Sequence, residues 1–357
     1  MLMQSIQNLT EESLSLLQSL ICIPSFSREE DKTALKITSF LKESKILYQQ
    51  KGNNIWCYNK FFDPDKPTIL LNSHHDTVKP NSGYTRDPFQ PTIEEQKLFG
   101  LGSNDAGGCL VSLLAAFRYF NDKKDLKYNL CYAATAEEEI SGKNGLESIL
   151  DDLGDLDFAI VGEPTLLQLA IAERGLMVID CEATGKAGHA ARNEGENAIY
   201  KAVEDINWFR TFKFPKESTV FGPISMNVTV IEAGSQHNVV PSLCKFTVDI
   251  RVTDVYTNEE VLAIIQQHIS SQAVARSTRL KPSSIPLSHP IVQAGIALGH
   301  KTYGSPTTSD QALLNIPSLK LGPGDSARSH MADEYIYIHE IEDGIKFYVQ
   351  ILDSILH

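Results

Sequence analysis

Residues 67–76 read PTILLNSHHD. The apolar run ending at Leu71 has the look of a buried strand, and it leaves the core carrying His74, His75 and Asp76. Side chains alternate along a strand, so His74 and Asp76 share a side while His75 points away. A core strand that delivers an imidazole and a carboxylate at one end raises the question of what its neighbours deliver.

Four further stretches end in the same kinds of residue. GLGSNDAGG (100–108) puts Asp105 in a glycine-rich turn ahead of a helix, and CYAATAEEE (131–139) ends in Glu137, Glu138 and Glu139. FAIVGEPT (158–165) carries Glu163, and LGPGDSARSHMADE (321–334) carries His330 soon after a strand. Each alone has an ordinary explanation: a satisfied histidine, a solvated acidic run, a turn aspartate capping a helix. Together they place imidazole and carboxylate, the donors that bind zinc, at five strand ends. Ligand sites in open parallel sheets lie beyond the carboxyl ends of the strands.

The surrounding pattern agrees with that geometry. A helix is expected from Thr10, read as its N-cap, to Pro24, and a second over residues 29–45. Strands at 53–60, 68–76, 128–139 and 157–165 alternate with a helix over 107–123. Apolar strands alternating with helices predict an α/β catalytic domain with a mostly parallel central sheet flanked by helices. Near residue 173 the pattern changes. LMVIDCEATG, ENAIYKAVEDINWFRTF, ISMNVTVIEA, LCKFTVDIRV, NEEVLAIIQQHIS and AVARSTRLK read in order as βαββαβ, a ferredoxin-like α+β unit. PSSIPLSHP (282–290) reads as a linker back, followed by a helix near 290–303, a strand at 318–324 and a helix from Ile341. The expected domains are 1–172 with 286–357, interrupted by 173–285. In LCKFTVDIRV, Cys244, Phe246, Val248, Ile250 and Val252 share one face; Lys245, Thr247, Asp249 and Arg251 share the other, which is left open.

Composition narrows the function. The chain has 357 residues, 42% hydrophobic and 22% charged, with a formal net charge of −13. An acidic chain with no basic stripe would repel nucleic acid. No apolar run approaches the roughly 20 residues of a membrane span, and no leader of basic then apolar residues opens the chain. The six cysteines are scattered without a CxxC pair, as expected of reduced thiols in a cytoplasmic protein.

In order and spacing, HHD, GLGSNDAGG, TAEEE, VGEPT and the late His330 resemble the dinuclear zinc deacylases that include acetylornithine deacetylase, succinyl-diaminopimelate desuccinylase, aminoacylase and carboxypeptidase G-type enzymes. The similarity spans nearly the whole chain. One departure is Gly107, where that family often has a lysine. The resemblance implies two Zn2+ ions bridged by Asp105, one held by His74 and Glu163, the other by Glu139 and His330. Co2+ or Mn2+ could substitute, since carboxylate-rich sites discriminate poorly. Two dications, three carboxylates and one bridging hydroxide balance in charge. The resemblance further makes Glu138 the general acid/base and Asp76 the partner that orients His74. It puts His189 of GKAGHAAR (185–192) at the oxyanion in a neighbouring subunit, hence a homodimer built through the inserted domain. It nominates Asn238 and Arg251 for the substrate, with Thr308 and the turn Gly322–Gly324 beside them.

The activity so implied is removal of an N-acyl group from a small amino acid. N-acetylornithine deacetylation in arginine biosynthesis comes first, with acetylcitrulline or succinylornithine as variants. Succinyl-diaminopimelate desuccinylation is the alternative, and di- or tripeptide hydrolysis comes third. A succinyl group needs an extra cation, for which Arg192 and Arg328 are candidates. A non-catalytic relative would lack the base or a ligand, and every one of those positions is filled.

Overall fold

The computed structural model describes the backbone of residues 2–192 and 194–357, with side chains from residue 6 onward. The chain divides into two compact units: residues 1–171, 284–303 and 309–357 form one, residues 172–283 and 304–308 the other. The short stretch 304–308 thus groups with the smaller unit, although the sequence suggested the larger.

The larger unit begins with helices α1 (Leu2–Ile21) and α2 (Asp31–Glu43), then strands β1 (Gln49–Lys51), β2 (Asn54–Tyr58), β3 (Thr68–His74), β4 (Thr92–Glu94) and β5 (Lys97–Phe99). Helix α3 (Gly108–Asn121) leads to β6 (Asn129–Thr135), β7 (Phe158–Val161) and β8 (Leu169–Glu173). Ala34, Ile37, Thr38 and Leu41 fall on the buried stripe of α2 at helical spacing, whereas α3 is buried almost all round. Thr10 is not a cap. The helix already runs from Leu2, and the Thr10 hydroxyl donates to the Ile6 carbonyl one turn back, at 2.9 Å. Local composition flags a helix start at Thr10, but the apolar stripe formed by Ile6, Leu9 and Leu16 carries the helix through it.

The smaller unit holds β9 (Gly175–Thr184), β10 (Gly188–His189), α4 (Ala198–Thr211), β11 (Ser225–Ala233), β12 (Val239–Val240), β13 (Leu243–Val252), α5 (Asn258–His268) and β14 (Gln272–Ala275). Its four-stranded antiparallel sheet runs β11-β13-β9-β14, the order of the ferredoxin-like unit. Burial alternates strictly along β13, and Phe246, Val248 and Ile250 pack with Ala198, Phe209, Val261 and Ile265 of the helices. The chain then returns through β15 (Ser283–Ser284), α6 (Pro290–Ala297), β16 (Thr302–Ser305), β17 (Ser318–Lys320), β18 (Tyr335–Tyr337) and α7 (Ile338–Leu356). Helix α6 stops at Ala297, short of the expected 303.

The central sheet of the larger unit runs β1-β2-β6-β3-β7-β17-β8 and onward. Its middle pairs β6-β3, β3-β7 and β7-β17 are parallel. Alternate residues of its strands face two different layers. Ile69, Leu71 and Phe158 pack in the core that includes α1, α2, α3 and α7. Leu70, Ala159 and Trp56 pack against short 3-10 segments at 146–153 and Leu314. A separate three-stranded sheet, β18-β5-β4, had no counterpart in the sequence pattern. No helix among the described residues is long and apolar enough to cross a membrane. All six cysteines are free, and all but Cys22 are buried.

Candidate metal centre

Strand β3 ends at His74, and its parallel neighbours β6 and β7 end at Thr135 and Val161. The turns after these strands carry Glu138, Glu139 and Glu163 to the same side, as the parallel arrangement requires. Asp105 comes from the turn ahead of α3, where the Asp105–Ala106 peptide is cis. His330 comes from the loop between β17 and β18.

These residues converge. His74 is buried, and its Nε2 lies 3.3 Å from Asp105 Oδ1, 3.7 Å from Glu163 and 3.9 Å from Glu138. His330 Nε2 is 2.9 Å from Glu139 Oε2 and 3.7 Å from Asp105 Oδ2. One oxygen of Asp105 therefore faces each histidine, the arrangement of a bridging carboxylate. Donor atoms of His74, Asp105 and Glu139 lie within 4.8 Å of one another, as do those of His74, Glu138 and Glu163. Glu138, read from sequence as a base, is thus also within reach of a cation.

The turns are themselves held by buried carboxylates. Asp76 accepts the backbone N–H groups of Glu138 and Glu139 at 3.1 and 3.2 Å, and the Ser27 hydroxyl at 2.7 Å. The sequence expectation for Asp76 changes in detail: His74 Nδ1 faces the Asp76 carbonyl at 3.0 Å and the Asp76 carboxylate at 3.4 Å. The carbonyl orients the ring while the carboxylate organises the acidic turn. His75 faces away from the cluster, towards the Thr33 hydroxyl at 2.9 Å and the Asn53 carbonyl at 2.8 Å. Three further acids escaped sequence reasoning. Glu30 accepts the N–H of Glu137. Asp310 accepts from the Thr135 hydroxyl. Glu334 accepts from Gly102, Asn104 and Asp105. Each acts through partners far along the chain, so no local pattern announces it.

Electrostatics tests whether cations fit here. Burial, then the charges of Glu163, Asp310 and Glu139, pushes the Glu138 carboxyl far above the usual carboxylate range against the pull of His74. Burial and Asp105 carry Glu163 up to about 8 and Glu334 likewise to about 8, and burial lifts Asp310 to about 6. Burial alone would drive His74 down, but Glu138, Asp105, Asp76 and Glu163 outweigh it and raise the imidazole well above its ordinary range. The bond to Glu139 lifts His330 to about 9. Asp105 is lowered, because its two histidines overcome its burial, and Asp76 is lowered by His74 and the Ser27 hydroxyl against its burial. Carboxylates crowded out of water against two imidazoles need compensating positive charge. Dications accept this oxygen-and-imidazole donor set, so the residues fit a metal pair.

Four nominated residues belong to the smaller unit. His189 and Asn238 meet there: β10 pairs with β12, and the Ala190 N–H donates to the Asn238 carbonyl at 3.1 Å. Both are exposed. Arg251 makes a two-pronged pair with Asp249 on the open face, at 2.9 and 3.2 Å. The Thr308 hydroxyl is buried with no hydrogen-bond partner among the described residues. In the larger unit, the candidate acyl-group cation Arg328 is already paired. Both its terminal nitrogens donate to Glu340 at 2.7 Å, and the guanidinium lies over Tyr335 and Tyr337. At Gly107, a Cβ would come within 2.3 Å of the Gly102 carbonyl oxygen and 2.6 Å of Leu17, so this backbone admits no side chain there.

Comparison with known proteins agrees with this geometry. The family model described as peptidase family M20/M25/M40 matches residues 70–354. An acetylornithine deacetylase of Proteus mirabilis is 30% identical over 308 residues, covering 80% of this chain and 79% of that protein. A succinyl-diaminopimelate desuccinylase of Orientia tsutsugamushi is 26% identical, covering 72% and 71%. Among solved structures, a dinuclear metal-binding peptidase of the M20 family from Bacillus subtilis superposes with a TM-score of 0.74 at 16% identity, covering 98% and 99%.

Proposed function

The chain belongs to peptidase family M20/M25/M40, and from that premise we propose that this metallo-hydrolase removes the acetyl group of N-acetylornithine or a close analogue, a step of arginine biosynthesis in the cytoplasm. The observation that carries the reading is the convergence of His74, Asp105, Glu139, Glu163 and His330 around a half-buried carboxylate, Glu138, 3.9 Å from His74.

Two metal ions held by those five residues would supply Lewis acidity towards the amide carbonyl and make water a nucleophile at neutral pH. Glu138 then moves the protons. Its carboxylate, within reach of the site, takes a proton from the attacking water and passes that proton to the departing amine. Asp76 keeps Glu138 in place by holding its backbone N–H. Arg251 serves the α-carboxylate of the substrate, exchanging its bidentate pair with Asp249 for an equivalent one, and Asn238 and Thr308 contribute polar contacts. His189, acting across a homodimer built through the smaller unit, donates to the developing oxyanion.

An acetyl rather than a succinyl group is favoured by the acetylornithine deacetylases among the relatives; of the two candidate cations for a succinyl group, Arg328 is paired with Glu340 and Arg192 is exposed. The test is a side-by-side assay of the purified enzyme on acetylornithine, acetylcitrulline, succinylornithine and succinyl-diaminopimelate. The highest kcat/KM is expected on acetylornithine. Faster turnover of succinyl-diaminopimelate would overturn the assignment in favour of desuccinylation.

A further inference from the structure

His74 and His330 are held in place by different means. His74 is 1% exposed and terminates a central strand of the sheet. His330 is exposed, has a left-handed backbone with φ 61, and stands just beyond a single 3-10 turn, Ser326–Arg328, on an otherwise irregular loop. Its carbonyl accepts from the exposed Asn81 amide at 3.0 Å, and its ring faces Asp105 across the candidate second metal position.

Two straps flank it. At one end of the loop, the buried side chain of Asn104 donates to the Asp325 carbonyl and accepts the Asp325 N–H, both at 3.0 Å. Gly324 has φ 87 and so close an approach to Asn104 that a Cβ there would lie 2.5 Å from Asn104 Oδ1. At the other end, Glu334 is 2% exposed and its carboxylate accepts the N–H groups of Gly102, Asn104 and Asp105 at 3.0, 2.8 and 2.9 Å. Its own carbonyl accepts the N–H of Gly100 at 3.0 Å. The loop 325–334 is therefore tied at both ends to the turn 100–105, and the two ties bracket His330.

We propose that Asn104 and Glu334 are positioning residues that set the separation of Asp105 from His330, and with it the affinity of the second metal position. The proposal rests on the two-metal reading. Neither residue touches the substrate. The first position shares Asp105, but its other two residues, His74 and Glu163, stand at or just beyond the ends of core strands and do not use the straps, so it should feel their loss less than the second position, where His330 is carried by the strapped loop.

The test titrates metal-free full-length chain with Co2+ and follows visible absorption, alongside thermal melting. In Glu334→Gln, and separately in Asn104→Ala, the second equivalent should bind at least tenfold more weakly, in line with the 10–100-fold typical of groups that orient metal ligands. The first should change by less than threefold. Asn104→Ala keeps all three N–H bonds of Glu334 and carries the same prediction if Glu334→Gln does not fold. Equal weakening of both equivalents in step with a lower melting temperature would reduce the straps to general scaffolding and overturn the proposal, as would unchanged binding. A wild-type chain that takes fewer than two equivalents would instead overturn the two-metal reading, and this proposal with it.

Discussion

At the scale of single residues, Glu138 separates chemistry from binding. Its carboxylate lies 3.9 Å from His74 and could serve as base or as ligand. Glu138→Gln preserves shape and removes the proton carrier. The expected outcome is a kcat lower by about 10²–10⁴-fold with two metal equivalents retained by elemental analysis; loss of one equivalent would make Glu138 a ligand. A second prediction concerns pH. Glu163 rises from 4.5 to about 8 in the folded chain, and His330 from 6.5 to about 9. Each group contributes stability that is full below its unfolded pKa and is lost as pH climbs through its folded one. The metal-free protein should therefore melt at progressively lower temperature from pH 5 to pH 9, and Zn2+ should shrink that fall by holding both groups deprotonated. A flat or rising metal-free profile in calorimetry would contradict the assignment. The residue types of this site are legible in the sequence because they cluster just after apolar runs. Glu334 is not, since the N–H groups it accepts lie 229 to 232 positions away.

At the scale of elements, legibility follows periodicity. Strand β13 occupies the predicted residues and alternates as predicted, because ten residues of period-2 pattern leave one register that buries Phe246 and Val248. The sheet β18-β5-β4 was missed for the converse reason: its strands are three residues long, and Tyr335 pairs with Phe99 across most of the chain. Helix α5 offers a direct check on local chemistry. Thr257 and Glu260 form a reciprocal capping box at its start, at 3.1 and 2.8 Å. Thr257→Ala should cost about 1 kcal/mol in urea denaturation, while Thr257→Ser, which keeps the capping oxygen, should cost clearly less. Equal effects would show that the cap does not stabilise the helix.

At the scale of the whole molecule, the change of pattern near residue 173 marked the second unit, because a βαββαβ order cannot continue a parallel sheet. The separate stretch 304–308 was invisible, since five residues carry no period and their grouping depends on tertiary contacts. If His189 serves the opposite subunit, mixing His189→Ala and Glu138→Ala proteins should create heterodimers with one intact site. Activity above that of either parent is expected; no recovery, with subunit exchange verified, would count against catalysis across the dimer.

The central claim is that His74, Asp105, Glu139, Glu163 and His330 hold two cations in one pocket. The most direct measurement is an anomalous difference map from a crystal soaked in zinc. Two peaks roughly 3.5–4 Å apart, one beside His74 and Glu163, the other beside Glu139 and His330, with Asp105 between them, are predicted. Zinc bound elsewhere, or no peak among these five side chains, would contradict the account.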